Sequence, residues 1–344
     1  MARFISRLAS AALLIAASGC VSAQQLEGTG GDPDYATVLS GFDRAVSENL
    51  YDPRLLETPG YQAFRQEFGL RVGQAENDQE VLTAFRASWK EGLFSHFDLR
   101  AAGVRAVETT AALQAAGANR ENAVLTYPAD DVALLTITTF LGDTVISQIL
   151  EALAEVRTRQ VKSLIIDLRE NDGGSLAGTV LVQSLLEHPE TIGAFVNRLW
   201  WGRNDHGPDA TQIAAITPLA QLDPGSFAAD LADDGISVVR LPPISGPPAQ
   251  RVFLLTSRRT ASMAELAAAA IKGAEAAVLI GETTAGEMLS GEFADAAPGF
   301  QVFMPMADYY SRSEGRIEGV GVQPHVLVDA DQALATALEM AREP

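Results

Sequence analysis

The stretch Arg251–Gly286, RVFLLTSRRTASMAELAAAAIKGAEAAVLIGETTAG, is the segment from which the fold reads most directly. Val252–Leu255 is a short apolar run bounded by polar residues, the pattern of a buried strand. Thr260-Ala-Ser-Met-Ala-Glu265 is a turn, and the alanine-rich segment after it has high helix propensity through Ile271. Ala277–Ile280 follows Gly273 as a second buried strand and runs into Gly281. The succession predicts an α/β unit with Ser262 where the turn enters the helix.

Ser262 has two readings. With Glu265 three residues on, it forms a capping box. It also has the setting of a nucleophile at a helix N-terminus, where the dipole and free amides favour a developing oxyanion.

Upstream the pattern repeats. Asp131–Phe140 predicts a strand, Asp143–Arg157 an amphipathic helix, Ser163–Leu168 a strand and Ala177–Leu186 a helix. Between the last two lies Arg169-Glu-Asn-Asp-Gly-Gly-Ser175. Its glycines either simply allow positive φ or present backbone amides to an anion. Phe195–Leu199 reads as a strand. Trp200–Gln221 is an excursion in which Trp200, Trp201, Arg203 and His206 form a substrate rim or an exposed decoration. Pro242–Pro248 is an extended linker. Downstream, Phe300–Pro305 reads as an exposed edge strand, Ala307–Tyr310 as its neighbour, Val326–Val328 as a last strand and Asp331–Arg342 as a closing helix.

The N-terminal part is helical. Val38, Leu39, Phe42, Val46 and Leu50 recur at helical spacing, as do Leu82, Phe85, Trp89 and Leu93, with Trp89 and Tyr51 as core anchors. This segment ends in Ser95-His96. His96, among apolar neighbours, is either a satisfied core histidine or a general base, since neutral imidazole accepts a hydroxyl proton near pH 7.

Composition narrows the function. A formal charge of −19 over 344 residues excludes nucleic acid and anionic membrane surfaces as natural partners. Residues 1–23 have the pattern of a secretory signal, with Arg3 and Arg7 before a short apolar core. Cleavage after Val21-Ser22-Ala23 competes with a lipobox-like Ala17-Ser18-Gly19-Cys20. Cys20 is the single cysteine, so the mature chain has no disulfide and acylation there would tether it to a membrane. Export places the protein in a bacterial periplasm or on the outer membrane. Residues 24–34 read as a linker, 35–125 as the helical domain and 126–344 as the core. No metal-spaced cluster or cofactor fingerprint occurs, and no cofactor is expected.

Taken in order, Ser95-His96, DLRENDGG (167–174), TASMAE (260–265), GETTAG (281–286) and EGVGVQP (318–324) resemble peptidase family S41, the carboxy-terminal processing proteases and the tricorn core. The resemblance covers about residues 35–330. It implies a ClpP/crotonase-like ββα core with an N-terminal helical domain, and hydrolysis of peptides or unfolded proteins. The processing proteases use a lysine just after the GETTAG-like motif. Here that position is Glu287, and Lys272 lies ten residues along the helix from Ser262, roughly 15 Å of rise. The tricorn-like branch uses a histidine preceded by a serine, the nucleophile and a late glutamate. By that resemblance Ser262 is the nucleophile, His96 the base, and Ser95 and Glu318 the relay. Met263 and Gly173 or Gly174 would supply the oxyanion amides. The sequence departs from the family at Asp172, where glycine is commoner, and at His325, where aspartate is usual. The roughly 35 residues between His96 and Val132 leave no room for a PDZ domain. Two other readings are an inactive ligand-binding protein on the same fold and a hydrolase of non-peptide esters or amides.

Overall fold

The structure, a computed structural model, describes residues 35–90, 92–102, 122–142, 144–219 and 224–342. The signal-like segment, Cys20 and the linker lie outside the described residues.

Two six-stranded sheets organise the chain. The first runs β12 (Val326–Leu327), β8 (Val278–Gly281), β7 (Arg251–Thr256), β4 (Ser163–Asp167), β3 (Val132–Ile137), β2 (Ala123–Ala129). It is parallel except for the β2–β3 hairpin. β2 spans the expected domain boundary at residue 125. The second sheet is antiparallel and built around β10 (Phe300–Ser311). β1 (Asp98–Ala101) and β5 (Glu190–Val196) follow one another along one edge of β10, and β9 (Leu289–Ala297) and β11 (Gly315–Arg316) along the other. β6 (Ile236–Leu241) completes it beyond β5.

The central strands are apolar throughout because both faces are covered. In β4, Leu164 and Ile166 face the inter-sheet core while Ile165 faces the C-terminal helix Ala333–Arg342. The helices Val145–Arg159, Ala177–Leu185 and Met263–Gly273 fill the space between the sheets. The last of these is buried on all sides, which explains its alanine run: Ala267–Ala270 let neighbouring backbones come close. Gly178 serves the same end, since a Cβ there would sit 2.6 Å from Met263 Cγ.

The N-terminal helices Ala36–Asn49, Pro59–Val72 and Asp78–Ser88 cover the outer face of the antiparallel sheet. Phe42, Phe64, Phe68, Phe85, Trp89 and Phe97 form a cluster of mostly edge-to-face rings. Tyr51 is buried at 2% exposure, and its hydroxyl accepts from the Arg316 guanidinium at 3.1 Å.

Three expectations are corrected. Phe300–Pro305 is no edge: with Ala307–Tyr310 it forms one central strand. Pro305 lies between the stretches of this strand that pair with β1 and with β5, at a shift in the register with β9. The Tyr51 N–H donates to the Pro305 carbonyl there at 3.1 Å. The strand expected at Phe195–Leu199 ends at Val196, where the Asn197 side chain caps a helical turn, Arg198–Trp201. Trp200 does not form an exposed rim: it is 8% exposed and donates its indole N–H to the His206 carbonyl at 2.9 Å.

Candidate active site

The carboxyl ends of parallel strands present loops to a common edge of the sheet, the usual ligand position in such folds. Three loops meet there. The β7 loop bonds the β4 loop through Ala261 N–H to Asn171 O at 3.1 Å and Thr260 Oγ1 to Leu168 O at 2.8 Å. The β8 loop joins them through Ala285 N–H to Thr260 O at 2.9 Å. The 318–324 segment zips onto the β8 loop: Thr284 N–H donates to Val322 O at 3.2 Å, and Val322 N–H to Thr284 Oγ1 at 2.7 Å. Gly321, at φ +76, leaves no room for a Cβ, which would lie 2.4 Å from Thr284 O.

Ser262 stands on this platform with φ 54 and ψ −123, a conformation that L-residues rarely adopt. His96 has φ 59. Such outliers persist where the surroundings hold them, and they cluster at functional sites. The Ser262 hydroxyl lies 3.5 Å from His96 Nε2. On the other side of the ring, His96 Nδ1 is 2.7 Å from Ser95 Oγ. Ser95 donates twice to Glu318, from Oγ to Oε2 at 3.0 Å and from its N–H to Oε1 at 2.8 Å. Met288 N–H holds the same carboxylate at 2.8 Å. The structure therefore brings Ser262, His96, Ser95 and Glu318 into one chain of contacts.

Burial pushes the His96 pKa down to about 4, so the imidazole is neutral near pH 7. Burial raises the Glu318 pKa, and hydrogen bonds from Ser95 and Met288 oppose that shift.

Gly173 lies against the serine: a Cβ on it would meet Ser262 Cβ at 2.7 Å and Met263 N at 3.0 Å. Its N–H is donated to Asn171 Oδ1 at 2.9 Å. A Cβ on Gly174 would instead meet Leu141 N and Phe140 C, both at 2.7 Å. Asp172 is exposed. Lys272 is bound to Glu314 at 2.8 Å, and Glu287 points to solvent. His325 pins β12 to β8, its Nδ1 accepting from Leu279 N–H at 2.9 Å.

Two residues escaped sequence reasoning. Asn171 shapes the glycine turn by bonding Gly173 N–H and Ile137 O. Glu265 looked like half of a capping box, and its carboxylate does accept the Ser262 N–H at 3.1 Å. It also accepts from Thr284 Oγ1 at 2.5 Å, Gly286 N–H at 2.7 Å and Glu287 N–H at 2.7 Å, so it clamps the nucleophile turn to the β8 loop. TASMAE and GETTAG were both visible, but nothing in either shows that one carboxylate ties them together.

Known proteins share this architecture. The putative peptidase of Parabacteroides merdae superposes with a TM-score of 0.62 at 14% identity, covering 91% of this chain and 98% of that one. The photosystem II D1 C-terminal processing protease does so with a TM-score of 0.53 at 14% identity, covering 87% and 94%. The core thus has the ClpP/crotonase-like form seen in S41 structures. By sequence, the chloroplastic C-terminal processing peptidase of Tetradesmus obliquus is 25% identical over 190 residues. That match covers 55% of this chain and 33% of the relative, so the chain corresponds to about a third of that protein's length. The profile of Peptidase family S41 matches residues 131–328, more than half of the chain. The chain belongs to Peptidase family S41.

Proposed function

We propose that the chain is a serine peptidase of the histidine-dependent branch, without a PDZ domain, acting on peptides or unfolded proteins. One observation carries this reading: Ser262 Oγ and His96 Nε2, 166 positions apart in sequence, lie 3.5 Å from each other. His96 takes the Ser262 proton as the hydroxyl attacks the scissile carbonyl, then returns it to the leaving amine. Ser95 accepts from the Nδ1–H of the imidazolium and passes its own hydrogen bond to Glu318, whose charge stabilises the cation. With the Gly173 N–H taken up by Asn171, the Gly174 amide is the one that joins Met263 as oxyanion donor in this reading.

The relay is tested by Glu318→Gln, which keeps the shape of the side chain and removes its charge. kcat is expected to fall about 10-fold or more with little change in KM, because the carboxylate acts on the imidazolium formed in the transition state. Wild-type kcat in this variant would exclude Glu318 from the relay.

Export as a periplasmic or outer-membrane lipoprotein rests on residues 1–23 and Cys20. Metabolic labelling with a fatty acid that is lost in Cys20→Ser supports the lipid anchor. A soluble, unlabelled wild-type protein excludes it.

A further inference from the structure

His96 sits just before β1, and the register of β1 with β10 sets what lies beside it. Asp98 pairs with Phe303, and Phe303 pairs with Phe293 of β9. Cross-strand partners share a face, so Asp98, Arg100, Phe303 and Phe293 lie on the side of the sheet away from the N-terminal helices. Their neighbours Leu99, Val302 and Ala294 pack into that helical core. The Phe303 and Phe293 rings are tilted at 44° to each other with centroids 4.9 Å apart, and Phe303 lies 6.0 Å from the His96 ring. Gly291, opposite Pro305, makes room for the Phe303 ring, which a Cβ at 291 would approach to 2.5 Å. The Arg100 guanidinium lies over both rings, at 5.3 and 5.6 Å, while its Nε donates to Asp98 at 3.1 Å. Both phenylalanines are half-buried, and among the described residues they belong to none of the four apolar clusters.

A position beside the histidine has chemical meaning. The group that takes the serine proton must give it to the leaving amine, so its surroundings border the leaving-group side of the substrate. We propose that the Phe293–Phe303 ledge, backed by Arg100, is a subsite for an apolar, preferentially aromatic side chain on the residue directly after the scissile bond. The inference rests on the peptidase reading above. Arg100 closes the far side of the ledge with its charge turned to Asp98, which leaves the near ring faces to stack on a substrate side chain.

The test uses two peptides differing only in the residue after the cleaved bond, Phe or Gly, and a methyl ester of the same acyl part. The ester has no residue on the leaving-group side. Phe303→Ala and the milder Phe303→Leu and Phe293→Leu are compared with the wild type. The wild type should prefer the Phe peptide, and Phe303→Ala should cut the Phe/Gly ratio of kcat/KM about 10-fold, leaving ester hydrolysis within about twofold. The two leucine variants should fall between. An unchanged ratio with intact ester hydrolysis removes the subsite and leaves the peptidase. Peptide and ester rates that fall together make Phe303 a support for His96 and overturn the subsite too. A wild-type protein that turns over none of the three substrates removes the peptidase reading and the subsite with it.

Discussion

Replacing Ser262 by alanine is expected to lower peptide hydrolysis by about 10⁴-fold or more, and His96→Ala to lower it to a similar floor. The two groups act as one unit, so the double variant should lose no more than either single one. The Ser262 hydroxyl is 3.5 Å from His96 Nε2, a loose contact whose loss costs the fold little, so thermal unfolding of Ser262→Ala should match the wild type. Burial holds the His96 pKa near 4, so the acid limb of kcat/KM should fall below the ordinary histidine value of about 6.5. Stability follows the same shift. The unfolded chain protonates His96 near pH 6.5 and the folded chain near 4, so the unfolded state binds more protons in between. Stability is therefore full above 6.5 and declines as pH falls towards 4. An acid limb at or above 6.5 would mean that the buried imidazole is not the titrating base.

The largest expected effect on stability is at Glu265. This side chain has 0% exposure and holds three backbone N–H groups and the Thr284 hydroxyl. Glu265→Ala leaves the Gly286 and Glu287 N–H groups and the Thr284 hydroxyl without this acceptor, while the Ser262 N–H keeps the Glu287 carbonyl at 3.1 Å, at a cost of about 3–5 kcal/mol. It also loosens the Ser262 turn from the β8 loop. Chemical denaturation should show a lower midpoint with an unchanged slope, and activity should fall even where the protein remains folded. Glu265→Gln keeps one oxygen but turns an NH₂ group towards the donors, so it should lie between. If Glu265→Ala has the stability of the wild type, the clamp does not hold the turn.

Much of the fold was legible because burial leaves a strong pattern. β4 and β7 read as strands because both faces are covered, and Met263–Gly273 as a helix because its alanines leave few alternatives. Strands whose partners lie far away in sequence were harder. β1 and β2 carry mixed residues, and their place depends on β10 and β3 rather than on their own periodicity. That Phe300–Pro305 and Ala307–Tyr310 are one central strand was not visible, because a strand's place in a sheet is shown only by its pairing. At the site, Ser262 and His96 each carried two readings by residue type and setting, and the family resemblance singled them out. Asn171 and Glu265 were not readable, because each acts by bonding backbone amides brought together by the tertiary fold.

In the proposed mechanism one hydroxyl is activated by one distant imidazole. Fluorophosphonate labelling followed by peptide mapping tests it directly in the wild-type protein and in His96→Ala. A single adduct on Ser262 is expected in the wild type, forming at least about 100-fold more slowly without His96. A wild-type protein that stays unlabelled, or one whose labelling rate is unchanged when His96 is removed, would contradict it.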